Sequence, residues 1–359
     1  MKVAVLGAGG IIAPAIVRDL AESEEAEELL LLDLDEMKAR KVAEAHGGEK
    51  SRVAQVDARN GLAGSLEGID VLVNSASYRV NLDAMGACLE AGCHYVDLGG
   101  LYHLTGQQLE LHDAFERAGL LALLGMGSSP GKTNVMAVQA TERLGATPER
   151  VDVWAAGRDL DPPDGPSYPY APRTLVDELT MAPMASRGGE PVELEPLQDG
   201  GAYDFPDPIG SGETIYTLHS EVRTFPESFG CGECTFRLAL APAVLERTRK
   251  LTQADEAEID RAAAEAVPSS PKTVSVHVIE AEAGGRTVTV TAITRGREDW
   301  GLGGGIVSTA APSAAAVRLL ARGQIEARGA LPPERCVKPG DLFPELERRN
   351  CSFDIKESE

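Results

Sequence analysis

Basic residues are scarce in this chain, and long apolar runs are absent. Lysine and arginine number 34 against 56 aspartates and glutamates, which gives a formal net charge of −22. Such a negative surface repels the phosphates of nucleic acids and anionic lipids, so we expect neither as a partner. No apolar run reaches the roughly 18 residues that a membrane span needs, and Met1 leads straight into strand-like sequence. We therefore expect a cytoplasmic protein with no membrane partner.

Cysteines are few and do not form the set that a metal site needs. Of six cysteines, only Cys231 and Cys234 form a C-x-x-C pair. A structural zinc site of this kind needs a second pair of ligands. A redox pair of this spacing belongs between a strand and a helix, and this pair does not lie in such a unit. We therefore expect no bound metal.

The length and pattern of the chain indicate two domains. A chain of 359 residues exceeds what one core of ordinary size organises. In the first part, short apolar runs alternate with helical stretches, and the strand candidates are residues 3–6, 29–34, 52–57, 69–74, 95–98 and 120–124. Repeated βα units predict an α/β Rossmann fold with a doubly wound parallel sheet.

The pattern changes near residue 151. A loop rich in proline and glycine is predicted at residues 161–172, and apolar and polar residues then alternate at 214–218, 235–240, 273–279 and 287–293. This alternation predicts a mostly antiparallel sheet with one wet face. Gly284 and Gly285 predict a hairpin between the last two strands. The second part is therefore predicted to be an α+β domain, followed by a helix at residues 310–321.

The turn after the first predicted strand carries a dinucleotide-binding signal. It opens a predicted helix, and this context separates a dinucleotide fingerprint from a chance cluster of glycines. Gly7 permits the tight turn, and Gly9 lets the backbone approach a pyrophosphate at the helix N-terminus. Ile12 stands where the usual motif has a third glycine. The residues expected to bind the cofactor here are Gly7, Gly9, Gly10 and Ile11.

An acidic residue at the end of the second strand strengthens this signal. Asp33 lies at about the expected spacing for a carboxylate that accepts hydrogen bonds from the ribose hydroxyls. It would repel a 2′-phosphate, so the sequence favours NAD, while nearby Lys38 and Arg40 leave NADP open. The further residues expected to line the cofactor, at the ends of the third and fourth strands, are Asp57, Asn74, Ser75 and Ala76.

The loop after the sixth strand contains a Gly-Lys-Thr sequence at residues 131–133. It is not a P-loop, because Met126 stands where the motif needs glycine. The loop does follow the carboxyl end of a parallel strand, which is the edge where such sheets bind ligands. We therefore expect Asn134 to face the substrate.

Six segments resemble the saccharopine dehydrogenase family, and especially its lysine 6-dehydrogenase-like branch: residues 1–10, 81–92, 94–100, 124–134, 218–222 and 331–349. The resemblance implies that the 310–321 helix packs back on the Rossmann part. It thus implies a discontinuous dinucleotide-binding domain, residues 1–125 with 310–359. Residues 126–309 would form a central domain that binds substrate and joins two copies in a homodimer.

Family members make or break a C–N bond with a nicotinamide cofactor. Oxidation removes hydride from the carbon beside an amine, which must first lose its proton, so a general base and a dry pocket are needed. Asp97 ends the fifth strand and is either that base or a structural carboxylate at a turn. The other residues expected to be catalytic are His219, in a His-Ser-Glu-Val segment similar to the family's, and Tyr102, beside His103. Arg173 and Arg223 are expected to bind a substrate carboxylate.

Three functions remain open from the sequence. The favoured one is oxidative deamination of L-lysine at its ε-carbon, and the alternative is a saccharopine- or carboxynorspermidine-type dehydrogenase acting on a secondary amine. The third is a non-catalytic NAD-binding sensor, which only the missing third glycine supports. The strong negative charge favours a cationic substrate over polyanionic saccharopine.

Overall fold

A computed structural model describes residues 1–359 and contains sixteen β-strands and thirteen α-helices. The strands are β1 (Lys2–Leu6), β2 (Glu28–Asp33), β3 (Ser51–Gln55), β4 (Val71–Asn74), β5 (His94–Asp97), β6 (Leu121–Leu123), β7 (Arg150–Asp159), β8 (Met184–Arg187), β9 (Glu190–Glu193), β10 (Asp199–Phe205), β11 (Gly210–Tyr216), β12 (Glu233–Ala239), β13 (Thr273–Ala283), β14 (Arg286–Arg295), β15 (Gly329–Leu331) and β16 (Cys351–Ser358). The helices are α1 (Ala13–Ala21), α2 (Glu36–Val42), α3 (Leu62–Ser65), α4 (Asn81–Ala91), α5 (Leu101–Leu109), α6 (His112–Arg117), α7 (Lys132–Leu144), α8 (Pro172–Thr180), α9 (Glu221–Phe229), α10 (Pro242–Leu251), α11 (Glu256–Ala264), α12 (Gly304–Ala321) and α13 (Pro339–Glu347).

The chain divides into two compact units, and both are discontinuous. Unit 1 is Met1–Val135 with Thr309–Leu346, and unit 2 is Met136–Ser308 with Glu347–Glu359. This division differs from the predicted one in two places. Residues 126–135 belong to unit 1, where the Met126 N–H donates to the Asp97 carbonyl. Residues 347–359 belong to unit 2, because β16 pairs with β14 rather than with the first sheet.

Unit 1 contains a seven-stranded parallel sheet in the order β15-β6-β5-β4-β1-β2-β3. The predicted doubly wound Rossmann architecture is confirmed. The strand order reverses between β1 and β4, and ligands bind beyond the carboxyl ends of strands at such a point. All four residues of β4 are buried, as expected for a central strand covered on both faces. The short strand β15, which extends the edge beside β6, is not predicted from the sequence.

Unit 2 contains a nine-stranded mixed sheet. Its main path is β10-β11-β12-β7-β13-β14-β16, while β8 pairs with β12 and β9. Only the β7–β12 pair is parallel, so the predicted mostly antiparallel sheet is confirmed. Burial alternates along β14 with a period of two, and the β13–β14 hairpin turns at Gly284 and Gly285, both with positive φ. Mirror-image hairpin turns require that conformation.

Helix α12 is long and apolar enough to cross a membrane. However, 72% of this 18-residue helix is buried inside the protein. Core helices of globular proteins have the same length and apolar composition, so this helix is weak evidence for a membrane span.

A buried ion cluster joins three helices of unit 1. Arg318 on α12 donates to Asp19 on α1 at 2.9 Å and to Glu345 on α13 at 2.7 Å, and each of the three side chains is at most 3% exposed. Arg322 also donates to Glu345, at 2.8 Å, but its own side chain is 38% exposed. Charges buried this deeply depend on one another, because water cannot replace a lost partner.

We expect Arg318→Ala to lower the free energy of unfolding by about 3–5 kcal/mol, because it removes the cation that two buried carboxylates share. Arg322→Ala removes a guanidinium that is itself 38% exposed to water, while Arg318 still pairs with Glu345, and it should cost about 0–1 kcal/mol. Urea denaturation followed by circular dichroism measures both losses. Equal losses in the two variants would show that burial of the Arg318 cluster contributes nothing.

Candidate active site

The turn between β1 and α1 has the geometry that the sequence predicts for a pyrophosphate cradle. Gly7 has a φ of 75°, and its N–H donates to the Leu32 carbonyl at 2.8 Å. A Cβ built on Gly7 would lie 2.6 Å from the backbone N and Cα of Ala76, in the loop after β4. No side chain fits in that space, and the positive φ also favours glycine. Gly7 therefore lets two loops at the switch point approach closely.

Gly9 connects this turn to the second strand. Its N–H donates to Asp33 Oδ2 at 2.8 Å, and Asp33 Oδ1 accepts from the Asp35 N–H at 2.8 Å. The carboxylate is thus fixed at the carboxyl end of β2, and each oxygen retains a lone pair for another donor. A ribose with two vicinal hydroxyls is such a donor. A Cβ on Gly9 would lie 2.5 Å from the Lys38 Cβ, so glycine is required here also.

The missing third glycine does not prevent helix α1 from packing. The fully buried residue at the start of the helix is Ala13, whereas Ile12 is only partly buried. Ile12 occupies the N-cap and makes no side-chain capping hydrogen bond, and Pro14 lies in the first turn. No side chain caps this end of α1, and the Ala15 N–H donates to the Ile12 carbonyl at 3.1 Å. The N–H groups of Ile11, Ile12 and Ala13 remain available to an anion.

Exposed apolar side chains surround the same edge of the sheet. Ile11, Leu34 and Met37 are 44%, 66% and 63% exposed, and they are three of the five large apolar residues that are exposed in the chain. Ile11 lies in the loop after β1, Leu34 directly follows Asp33, and Met37 lies in the first turn of α2. A flat apolar ring such as adenine would cover such surface. The glycine cradle, the carboxylate and this surface together fit a dinucleotide.

The residues predicted after β3 and β4 lie at this edge, but their roles differ. Asp57 is exposed and accepts from the Arg59 N–H at 3.0 Å within its own turn. Asn74 is buried and holds the following loop, since its Oδ1 accepts from the Ala76 N–H at 3.0 Å. Ser75 places a buried hydroxyl oxygen there without a hydrogen-bond partner. Ala76 is the residue that contacts Gly7, so Asn74 shapes the cradle indirectly.

Asp97 is a structural carboxylate, not a base with a free lone pair aimed at a ligand. It is 1% exposed and accepts five hydrogen bonds. The donors are Asn81 Nδ2 (3.1 Å), Tyr95 OH (3.0 Å) and Gln108 Nε2 (2.6 Å) to Oδ2, and the N–H groups of Gly99 (3.0 Å) and Gly125 (2.6 Å) to Oδ1. Burial raises the pKa of Asp97, and these hydrogen bonds oppose the rise. The structure therefore does not support the predicted role of Asp97 as general base. It supports the alternative, a structural carboxylate at a turn.

Tyr102 and Asn134 also lie in unit 1. Tyr102, in the first turn of α5, is partly buried, and its ring meets that of the exposed His103 edge-on at 5.2 Å. Asn134 is 1% exposed, and both ends of its amide are used: Oδ1 accepts from the Gly131 N–H and Nδ2 donates to Glu334 Oε2, each at 2.7 Å. The prediction that Asn134 faces the substrate is thus corrected, because the side chain closes its own loop.

The prediction for Arg173 is corrected as well. Its guanidinium donates to Glu256 Oε1 at 3.0 Å and to Asp260 Oδ1 at 2.7 Å, and so joins α8 to α11. The hydrogen bonds expected for a substrate carboxylate are already made to the protein. Arg223, on α9, is partly buried and forms no ion pair in the structure. Of the two arginines, only Arg223 is available to an anionic ligand.

His219 lies at the centre of a buried polar cluster in unit 2. Its ring stacks on Phe236 of β12, with centroids 3.4 Å apart. Its Nε2 is 3.9 Å from Glu178 Oε2 on α8, and its Nδ1 is 3.6 Å from Glu221 Oε2 on α9. These distances exceed hydrogen-bond length, so the attraction is electrostatic. The side chains of His219, Glu178 and Glu221 are 8%, 5% and 0% exposed.

The cluster perturbs the proton affinity of each ionisable group in it. Burial by itself lowers the pKa of His219, but the carboxylates of Glu221 and Glu178 outweigh burial, and the pKa lies above its ordinary value. Burial raises the pKa of Glu178, which His219 and a hydrogen bond from Tyr170 only partly offset. Ionisable groups whose pKa values are shifted by burial and by a neighbouring charge are concentrated at functional sites.

Unpaired polar atoms are concentrated around His219. Both of its ring nitrogens and the hydroxyls of Thr217, Ser220 and Thr224 are buried without a hydrogen-bond partner. Folded proteins contain few such atoms, and each needs an explanation. Five of them within eight consecutive residues indicate a site that a polar ligand completes.

The sequence reasoning found His219 but missed Glu178 and Tyr170. Glu178 lies three residues after Leu175, on the side of α8 that also buries Val176 and Leu179. A carboxylate beside an apolar stripe is the signal that could have identified it. Tyr170 precedes the helix in the proline- and glycine-rich loop, and no pattern in the sequence singles it out.

The first part of the chain matches a known family. Residues 3–123 match the sequence model of the saccharopine dehydrogenase NADP binding domain. The whole chain superposes on apo saccharopine dehydrogenase (L-Glu forming) from Saccharomyces cerevisiae with a TM-score of 0.73, covering 100% of both chains at 14% identity. That likeness shows the fold. The resemblance to the saccharopine dehydrogenase family and an NAD(P) cofactor are thereby confirmed.

Two curated relatives are similar over part of the chain. Carboxyaminopropylagmatine dehydrogenase from Synechocystis sp. is 26% identical over 273 residues, which are 72% of this chain and 67% of that protein. Carboxynorspermidine synthase from Vibrio cholerae is 26% identical over 256 residues, which are 63% of this chain and 60% of that protein. The second alignment thus spans less than two thirds of the relative's length.

We expect Gly7→Ala to weaken dinucleotide binding by at least tenfold, because the new methyl would force the Ala76 loop away from the cradle. Gly68→Ala is the matched control: Gly68 has the same φ of 75°, but nothing lies within 4 Å of a Cβ built there. Isothermal titration calorimetry with NAD⁺ and NADP⁺ measures both variants. Equal affinity in Gly7→Ala and the unmodified protein would contradict the assignment of the cradle.

Proposed function

We propose that the chain is an NAD(P)-dependent dehydrogenase acting on the C–N bond of a secondary amine, and the match of residues 3–123 to the saccharopine dehydrogenase NADP binding domain supports this. The carboxynorspermidine type, which joins an amine to a carbon skeleton that carries a carboxylate, fits best. The names of the two relatives support this choice over the first prediction, lysine. The observation that carries the proposal is the buried polar cluster around His219.

Unit 1 supplies the cofactor site. The N–H groups at the start of α1 would hold the pyrophosphate, with Gly7 keeping the turn tight and Asp33 gripping the adenosine ribose. When bound, the nicotinamide gives or takes the hydride. The Asp33 carboxylate disfavours a 2′-phosphate, and Arg40 is already paired with Glu36. We therefore propose NAD rather than NADP as the preferred cofactor.

Unit 2 supplies the proton chemistry. A protonated amine has no lone pair to assist hydride departure, so a base must hold its proton during oxidation and return it during reduction. We assign that role to His219. Its Nδ1 faces the fully buried Glu221, which would keep a hydrogen on that atom, and leaves Nε2 to exchange the proton. The hydroxyls of Thr217, Ser220 and Thr224 are donors and acceptors for the polar atoms of the substrate.

The charges of unit 2 suit a substrate with both signs of charge. Glu178 and Glu221 attract an ammonium or guanidinium group, and Arg223 is free to bind a carboxylate. A carboxylated polyamine carries both groups. Lysine carries them too, and it remains the second candidate on that ground. The predicted homodimer and the cytoplasmic location remain predictions.

A substrate screen tests the proposal. NADH or NADPH formation is followed by absorbance with carboxynorspermidine, carboxyaminopropylagmatine, saccharopine and L-lysine. We expect turnover of the carboxylated polyamines and none of lysine. Lysine-dependent reduction with release of ammonia would instead establish the lysine 6-dehydrogenase activity, and tight NAD binding without any turnover would establish the sensor.

We expect His219→Gln to lower kcat by about 10²–10⁴-fold, the usual contribution of a positioned acid–base group. The glutamine keeps a polar group of similar size, so loss of packing is small. His46→Gln, at a histidine that belongs to neither candidate site, is the control and should leave kcat unchanged. A His219→Gln variant with unchanged kcat would remove the residue from the mechanism.

A further inference from the structure

Glu178, which lies near His219, accepts a hydrogen bond from Tyr170. Tyr170 OH donates to Glu178 Oε2, the same oxygen that lies 3.9 Å from His219 Nε2. Tyr170 comes from the loop before α8, Glu178 from α8, and His219 from the segment between β11 and α9. A loop, the helix that follows it and a distant segment of the chain therefore bring a phenol, a carboxylate and an imidazole together.

The proton-exchanging side of the imidazole has only one anionic neighbour. Glu221 lies on the Nδ1 side, and Glu178 lies on the Nε2 side. Strand β12 presents the uncharged Phe236 ring to the face of the imidazole, whereas its charged residues Glu233 and Arg237 pair with Arg187 and Asp152. A proton on Nε2 is therefore stabilised mainly by Glu178, through a buried environment in which a charge at 4 Å acts strongly.

We propose that Glu178, held by Tyr170, is a positioning residue that sets the pH at which His219 gives up its proton. This inference rests on the proposed function, in which His219 holds the proton of the amine. Glu178 does not itself exchange a proton with the substrate. It stabilises the imidazolium, while the Tyr170 hydrogen bond keeps Glu178 ionised and fixes the oxygen that faces Nε2.

The position of Glu178 suits a residue that must both accept and return a proton. Burial alone lowers the pKa of His219, so the imidazole would accept a proton from the amine only reluctantly, although it would return that proton readily. An anion beside Nε2 brings the two protonation states closer in free energy at working pH, so the same residue serves both oxidation and reduction. Tyr170 supports this balance, because a carboxylate that accepts a hydrogen bond stays ionised to lower pH.

The test reads the titration of His219 directly. Full-length protein labelled with ¹³C and ¹⁵N at histidine is titrated by nuclear magnetic resonance, and the His219 signal is assigned by its loss in His219→Gln. We expect Glu178→Gln to move the His219 midpoint to lower pH by about one unit, because an opposite charge within a few ångströms is removed. Tyr170→Phe should move it in the same direction by less, since Glu178 stays in place but is less ionised.

Glu256→Gln is the matched control. It removes the same charge from α11, at a position that touches α8 only through Arg173, and it should leave the His219 midpoint unchanged. Circular dichroism and the thermal midpoint of each variant show whether the fold is kept. If Glu178→Gln does not fold, Tyr170→Phe alone decides the matter.

The same variants then report on catalysis. In a single-turnover oxidation, the rate falls at low pH as the base becomes protonated, and this acidic limb should move to lower pH in Glu178→Gln by the same amount as the midpoint. An unchanged His219 midpoint in both folded variants would overturn the inference. A shifted midpoint in a protein that oxidises no amine would uphold the role of Glu178 and defeat the proposed function, so the two failures are distinguishable.

Discussion

The buried carboxylate of Asp97 organises the edge of the first sheet. Its Oδ2 accepts from the Asn81 side chain, the Asn81 Oδ1 accepts from Asn74 Nδ2 at 2.9 Å, and Asn74 in turn accepts from the Ala76 N–H. Ala76 is the residue against which Gly7 packs. A chain of hydrogen bonds thus runs from the end of β5 through α4 to the phosphate-binding turn. The hydrogen-bonded Asp97 carboxylate thus helps to position the loop against which the Gly7 turn packs.

The carboxylate of Asp97 and the imidazole of His219 differ in how their polar atoms are satisfied. Asp97 accepts five hydrogen bonds, which fix the carboxylate and leave it no lone pair for chemistry. Around His219 several buried polar atoms have no partner, and the ionisable groups carry shifted pKa values. A polar network whose hydrogen bonds are all made is typical of a structural role, whereas buried polar atoms without partners indicate a site that binds a ligand. This contrast separates a structural aspartate from a candidate base more clearly than position at a strand end does.

Much of the fold follows from local patterns in the sequence. Continuous apolar runs identify buried parallel strands, and the alternation at residues 287–293 identifies β14 with its exposed and buried faces. Strands without such patterns escape detection: β15 has three residues, Gly-Ala-Leu, and β10 begins Asp-Gly-Gly. The Gly7 turn is predictable because a backbone conformation requires one residue type there.

Side-chain roles are less predictable, because partners come from distant parts of the chain. Asp97 and Arg173 carry the charges that a site needs. No local pattern shows that Gln108 already donates to Asp97, or that Arg173 already donates to Asp260. Glu178 lies 41 positions before His219 in the sequence, and only the tertiary structure brings the two within 3.9 Å. Composition and spacing therefore locate the dinucleotide site, while the acid–base cluster requires the folded chain.

The late position of β15 in the chain has a consequence for biosynthesis. This strand completes the edge of the Rossmann sheet, yet it is made only after all of residues 136–308, which belong to the other unit. The second sheet is completed later still, when its edge strand β16 has been synthesised. A nascent chain leaving the ribosome therefore holds an unfinished sheet edge while more than half of the protein is translated. Such edges invite pairing with other chains, so this architecture places a demand on chaperones that a domain folding from one continuous segment does not.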